Sequence, residues 1–248
     1  GRLSDIMSRF KAPSIFTVHA LSAYHGEAMN IGFETIQEQI GNQLDVIAKT
    51  DKTIMMTEGI MDIATRYHPE FVDKYIVRNN GIDIPNNSAE TSSKVEELKS
   101  RYGINETDKV LLFMGRLSQE KGIVELAEAF PQIKKENPES RLVIAGNREG
   151  DSHYLPKIKL ILRNGGLIEG RDYTFAGWVE GIEKDALYEL SDFVILPSYY
   201  EHMPMTALEG MARKKPVIIS DLESINGIFK LPYADQRIAL PISRIADP

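Results

Sequence analysis

The stretch Val110-Leu111-Leu112-Phe113-Met114-Gly115-Arg116-Leu117-Ser118-Gln119-Glu120-Lys121-Gly122 decides how this chain is read. A short apolar run ends at a glycine, a polar turn carrying Arg116 and Lys121 follows, and a further glycine precedes a helical pattern. In that pattern Ile123, Leu126, Ala127, Phe130 and Ile133 recur at helical spacing and form one apolar face. Lys121, Glu125, Glu128, Lys134 and Lys135 fall largely away from it. Pro131 is expected to kink or split this helix, and Asn137-Pro138 to end it. Strand, turn and helix in this order are the unit from which parallel α/β sheets are built.

The same unit recurs on either side. Ser14–Val18, Thr53–Met56, Tyr75–Val77, Leu142–Ala145, Tyr173–Phe175, Phe193–Leu196 and Pro216–Ile219 are further apolar runs of strand length, most of them followed by amphipathic stretches. They show little polar alternation, as strands do when helices cover both faces of the sheet. The segment Arg78–Ala89, RNNGIDIPNNSA, is dense in the residues that turn chains and marks a boundary. The expected fold class is therefore α/β, with two Rossmann-like parallel-sheet lobes: a first over residues 1–80 and a second over residues 81–248. The runs before the boundary make a thin doubly wound unit, so the first lobe reads as incomplete.

Composition narrows the function classes. The 248 residues are 42% hydrophobic, enough for a core, and contain no cysteine, which removes disulfides, thiolate metal sites and a cysteine nucleophile. A reducing cytoplasm suits this usage, and a cytoplasmic location is expected. The formal net charge of -7 argues against a general nucleic-acid binder. No apolar run reaches the ~18 residues of a membrane span, and the amino-terminal GRLSDIMSRF lacks the apolar region of a secretory leader.

Two segments carry the chemistry. The turn Gly115–Gly122 lies at the carboxyl end of a strand, where open α/β sheets bind ligands. Glycines at 115 and 122 allow close backbone approach, and Arg116 and Lys121 suit phosphate oxygens. It is neither a Walker loop nor GxGxxG. The second segment, Tyr200-Glu201-His202-Met203-Pro204-Met205-Thr206-Ala207-Leu208-Glu209-Gly210, follows the strand Phe193–Leu196. Pro204 fits the first position of a helix. That places Glu201 in the preceding loop and Glu209 just over a turn into the helix, with the amides of Met205 and Thr206 at an anion-binding terminus. A carboxylate so placed can accept from ribose hydroxyls. Taken singly, each of these residues reads first as a solvated surface residue.

Together the segments resemble the retaining glycosyltransferases of the glycogen-synthase-like group, which have the GT-B fold. The resemblance rests on the GRLSQEKG turn, Val143-Ile144-Ala145-Gly146, Phe175-Ala176-Gly177-Trp178-Val179, Pro197-Ser198, the pair Glu201 and Glu209, Lys215-Pro216-Val217-Ile218, and Arg78-Asn79-Asn80-Gly81-Ile82-Asp83 as the crossover between lobes. No one of these is specific; their shared order is.

The resemblance implies a metal-independent transfer of a hexosyl group from a nucleoside-diphosphate sugar to an acceptor hydroxyl, with no cofactor. It assigns Arg116 and Lys121 to the diphosphate, Glu209 to the ribose and Glu201 to the neighbourhood of the donor sugar. Gly115 and Gly146 would stand at the strand ends around it, and Gly177, Trp178 and Val179 would face the nucleobase. The backbone from Met203 through Met205 to Thr206 would line the sugar–phosphate site. His19, at the end of Ser14–Val18, would contact the donor sugar. Glu201, Arg116, Lys121 and His19 are thus the candidate catalytic residues. His25, His68 and His153 have no motif support.

Three positions depart from the family pattern. His202 stands where relatives often carry glycine: its ring would narrow the donor pocket, supply a proton donor, or face solvent. Gly210 replaces the usual alanine and should weaken its helix slightly. Lys215 replaces a common glycine. Relatives begin with further strand–helix units and continue past Pro248, so the chain resembles an internal slice, its first lobe completed by another segment or a partner chain. Nucleobase, sugar and acceptor (a sugar, lipid or protein hydroxyl, with peripheral membrane contact compatible) stay open. A non-catalytic donor-binding or docking module is the main alternative reading, and a nucleotide-sugar epimerase the next.

Overall fold

The computed structural model describes residues 12–83, 85, 88–146, 153–225, 227–228 and 239–242, the last as backbone. The GRLSDIMSRF stretch lies outside them. The fold is α/β with two parallel-sheet units, as expected.

The first unit comprises residues 1–81, Tyr200–Pro204 and Leu222–Ala234, each to the extent described. The second takes Ile82–Tyr199, Met205–Asp221 and Asp235–Pro248. Two later segments thus group with the first unit.

In the first unit β1 (Ile15–Val18), β2 (Lys52–Met55) and β3 (Tyr75–Val77) form a parallel sheet in that order. Around it lie α1 (Ser22–Ala28), α2 (Phe33–Lys49) and α3 (Glu58–Tyr67). Thr57 caps α3 by accepting from the Ile60 amide at 2.9 Å. The Lys74 ammonium donates to the carbonyls of Ile47, Ala48 and Thr50, groups a helix carboxyl end leaves without partners. Val18, Leu21, Ile47, Met55, Ile60, Ile63 and Tyr75 pack as the core, with Tyr200 among them.

The second unit holds α4 (Ala89–Tyr102), β4 (Lys109–Met114), α5 (Ile123–Glu136), β5 (Ser140–Ala145), α6 (Tyr154–Asn164), β6 (Tyr173–Gly177), α7 (Gly181–Leu190), β7 (Phe193–Leu196), α8 (Met205–Ala212), β8 (Val217–Ser220) and β9 (Ala239–Ile242). Its sheet is parallel with order β6-β5-β4-β7-β8-β9. β5 is buried along its whole length, which explains why its sequence shows no alternation. The apolar face of α5 meets Leu111, Phe113, Leu142 and Ile144, and Ile158 and Leu162 of α6 complete the layer.

Three details differ from the reading of the sequence. β9 adds a strand beyond the runs read from the sequence; it is the edge of the described sheet, where the missing N–H of Pro241 is tolerated. α5 runs unbroken through Pro131 rather than splitting, although it ends at the Asn137 cap as expected. The last helix starts at Met205, one residue after Pro204, with Glu209 in its second turn.

The strand order fixes where a crevice opens. From β4 the chain moves outward through β5 to β6, then returns to the other side of β4 with β7. The loops after β4 and β7 lead to helices that diverge, and a gap remains at the carboxyl ends of these strands.

Candidate functional site

A cavity of about 540 Å³ occupies that gap in the second unit, within the range of small-molecule sites. Met114, Gly115 and Arg116 come from the end of β4 and Gly146 from the end of β5; Trp178 to Glu180 come from the turn after β6 and Gly181 from the start of α7. Lys184 projects from α7, and Met205, Thr206 and Glu209 from α8.

Close backbone packing shapes the rim. The Gly115 amide donates to Ala145 at 2.9 Å and the Gly146 amide to Gly177 at 2.8 Å, so three strand ends are tied in sequence. A Cβ on Gly146 would stand 2.1 Å from the Gly115 carbonyl oxygen. Only glycine fits. The β5–β6 register also shifts here, pairing Ala145 with Gly177, a bulge that re-aims the following turn. Thr206 Oγ1 donates to the Met114 carbonyl at 3.0 Å and pins the first turn of α8 to the end of β4. The start of a helix carries partial positive charge and suits an anion.

Glu209 is the most constrained side chain of the pocket. Its Oε1 accepts from Lys184 Nζ at 2.9 Å and its Oε2 from the Tyr188 hydroxyl at 2.7 Å. Tyr188 is fully buried. Burial, then the adjacent Glu209 carboxylate, pushes its phenol well above the usual tyrosine range, so it stays protonated and donates. The Arg213 guanidinium lies 4.8 Å from the Tyr188 ring and donates to the Glu209 carbonyl at 3.0 Å. It also pairs with Asp185. Arg116, by contrast, is 67% exposed at the pocket's edge and pairs with Glu120. Trp178 is 53% exposed, its Nε1 donating to Glu180 at 2.6 Å.

The predicted residues thus separate. Gly115, Arg116, Gly146, Trp178, Val179, Met205, Thr206 and Glu209 line the cavity. Gly177 lines a neighbouring one of about 300 Å³, which shares Gly146. Lys121 ends the short Gln119–Lys121 helical turn and is not a lining residue. Glu201 and Met203 belong to the first unit, with Glu201 buried, and so does His19, exposed just beyond β1. Lys184 and Tyr188 were not foreseen as site residues. They stand one helical turn apart on α7, and nothing in Glu183-Lys184-Asp185-Ala186-Leu187-Tyr188 announces that both reach Glu209.

His202 neither faces solvent nor offers a proton at Nε2. It is buried in the first unit, and Nε2 accepts from the Leu21 amide at 2.9 Å. Burial pushes its pKa down to about 3, helped by nearby His19 and His25. The Val18 carbonyl pulls the other way without completing a hydrogen bond to Nδ1. Unfolded, the ring takes a proton near 6.5, so the unfolded chain binds one more proton between these values. Stability is then full above about pH 6.5 and falls with acid towards pH 3, by about 1.4 kcal/mol per pH unit for this group. Urea midpoints of the parent and of His202→Gln, measured from pH 7 to pH 4.5, should converge as pH falls. Parallel curves would show that His202 carries no such penalty.

Among the described residues no group of three or more His, Asp or Glu is placed to hold a metal ion. No described helix is long and apolar enough to cross a membrane.

Residues 94–233 match the family described as glycosyl transferases group 1. An alpha-D-kanosaminyltransferase of Streptomyces kanamyceticus is 25% identical over 98% of this chain and 64% of its own length. An alpha-monoglucosyldiacylglycerol synthase of Streptococcus pneumoniae is 30% identical over 72% of this chain and 39% of its own. The chain therefore spans less than two thirds of the relatives it matches. Among solved structures, WaaG, a glycosyltransferase involved in lipopolysaccharide biosynthesis, superposes with a TM-score of 0.69 at 15% identity, over 96% of this chain and 64% of its own. TarM of S. aureus, solved with UDP, gives 0.66 at 18% identity, over 90% of this chain and 40% of its own. At such identities these likenesses speak for the fold.

Proposed function

The chain belongs to the glycosyl transferases group 1 family, and from that premise we propose that its second unit grips the nucleoside diphosphate of a sugar donor. The observation that carries this reading is Glu209, fixed by Lys184 and Tyr188 on the wall of a cavity that also holds Arg116 and the first turn of α8. In it Glu209 accepts from the ribose, Arg116 and the α8 terminus meet the diphosphate, and the turn Gly177–Val179 meets the base. Lys121 would join the diphosphate by a side-chain movement.

The whole protein then moves a hexosyl group to an acceptor hydroxyl with retention at the anomeric carbon and without a metal ion or cofactor, in the cytoplasm. The bond between the anomeric carbon and the phosphate oxygen breaks, and the acceptor oxygen bonds to that carbon on the same face. The acceptor proton passes to the leaving phosphate oxygen. Cations and helix dipole offset the charge that grows on the diphosphate. The names of the relatives, a kanosaminyltransferase and a glucosyldiacylglycerol synthase, support sugar transfer and leave the acceptor class open.

The test is thermal denaturation with UDP, GDP and ADP. A ligand at ~100 times its Kd adds about 2.7 kcal/mol, worth roughly 5–10 °C in a chain of this size. One nucleotide should give this shift, and Arg116→Ala and Glu209→Ala should each remove most of it. A melting point unmoved by all three at millimolar concentration sinks the reading. Binding without transfer to any supplied acceptor would favour the docking-module alternative instead.

A further inference from the structure

The geometry points to Tyr188 and Lys184 as positioning residues that make the pocket select ribose over deoxyribose. The inference rests on the donor-site reading and deepens it.

A carboxylate has two oxygens with about two acceptor positions each. In Glu209 one position on each oxygen is taken: Oε1 by Lys184 at 2.9 Å, Oε2 by Tyr188 at 2.7 Å. One position remains on each oxygen, and Glu209 lines the cavity. Two fixed acceptors side by side match two vicinal hydroxyls, the 2′ and 3′ groups of a ribose. A carboxylate held by one partner could rotate and greet either hydroxyl alone. One held at both oxygens is set for the pair.

The hold is itself braced. The Tyr188 ring is buried, and Arg213 stacks on it while bonding the Glu209 carbonyl. Asp185 pairs with Arg213 from the same helix that carries Tyr188 and Lys184. α7 thus supplies both partners of the carboxylate and an anchor for the guanidinium that steadies one of them. Tyr188 needs no contact with the ligand to act. It keeps the acceptor still.

The experiment compares ribonucleoside diphosphates with their 2′-deoxy counterparts by titration calorimetry on the parent, Tyr188→Phe, Lys184→Gln and Lys184→Arg. The parent should bind its preferred ribonucleotide about 30-fold more tightly than the deoxy form, as loss of a hydrogen bond to a charged acceptor would produce. Tyr188→Phe and Lys184→Gln should each shrink that ratio to roughly 5-fold or less, while the deoxynucleotide Kd changes by no more than about twofold. Lys184→Arg should recover part of the ratio. A merely structural role would weaken both nucleotides alike and leave the ratio intact, and that result overturns the inference. Lys184 is partly exposed, so its variants keep the test alive if Tyr188→Phe does not fold. Absence of nucleotide binding by the parent would instead overturn the donor-site reading beneath it.

Discussion

Gly146→Ala is expected to lower the unfolding free energy by about 3 kcal/mol or more, the upper end of what overpacking costs, and to abolish the nucleotide-induced thermal shift with it. The added carbon would stand 2.1 Å from the Gly115 carbonyl oxygen, more than an ångström inside ordinary contact on the order of 3.4 Å. No side chain can swing aside, because the obstacle is backbone. That backbone is held by the Gly115 amide on Ala145, and Gly146 itself is held by its bond to Gly177. Relief therefore requires the ends of β4 and β5 to part, which carries Gly115 and Arg116 away from the rest of the cavity wall.

Gly41→Ala supplies the contrast. It is exposed in the interior of α2, and a Cβ there meets nothing within 4 Å. The same change should add roughly 0.5–1 kcal/mol, since glycine costs that much in a helix. Urea denaturation of the two variants should give opposite signs. A near-neutral Gly146→Ala would mean that the strand ends yield more easily than their hydrogen bonds imply.

Those strand ends show what the sequence could disclose. Val110–Met114 and Leu142–Ala145 are legible because a parallel strand covered on both faces must be apolar at nearly every position. Gly115 and Gly146 are legible as strand-end glycines, but the reason for the second, a 2.1 Å approach, exists only once the strands are side by side. Glu209 was readable from its distance along a helix. Its partners were not, because Lys184 and Tyr188 meet it across two helices whose separation the sheet sets.

The Glu201–Glu209 segment reads as one motif, yet Tyr200–Pro204 packs with the first unit and Met205 onward with the second. Burial of His202 could not be foreseen either: its partner is the amide of Leu21, far away in sequence. Gly210 is explained in part. A Cβ there would lie 3.0 Å from a Val194 methyl, so α8 packs closely on β7, and the cost in helix propensity is set against that proximity.

Arg141 is the residue for which sequence and structure differ most in what they say. In sequence it stands just before the apolar run Leu142–Ala145. It is 5% exposed. Its guanidinium donates to the carbonyls of Tyr102 at 2.7 Å, Gly103 at 3.0 Å and Gly170 at 3.1 Å, and reaches Asp108 at 3.4 Å. One side chain thereby satisfies the end of α4 and the turn before β6. Arg141→Met keeps the length and apolar stem but strands those carbonyls and the Asp108 carboxylate. It should cost about 3–5 kcal/mol, as breaking a buried ionic site from one side does.

Arg141→Lys should recover only part of this, because a single ammonium cannot reproduce the planar fork. Adding Asp108→Asn to Arg141→Met should return some stability by removing the unpaired charge. All of these groups sit at the amino ends of the strands, opposite the cavity. The nucleotide Kd of Arg141→Met, measured well below its melting point, should therefore match the parent's, whereas Gly146→Ala loses stability and binding together. A loss under 1 kcal/mol would mean that water replaces the guanidinium at these carbonyls. A changed Kd would mean that the two ends of the sheet are coupled.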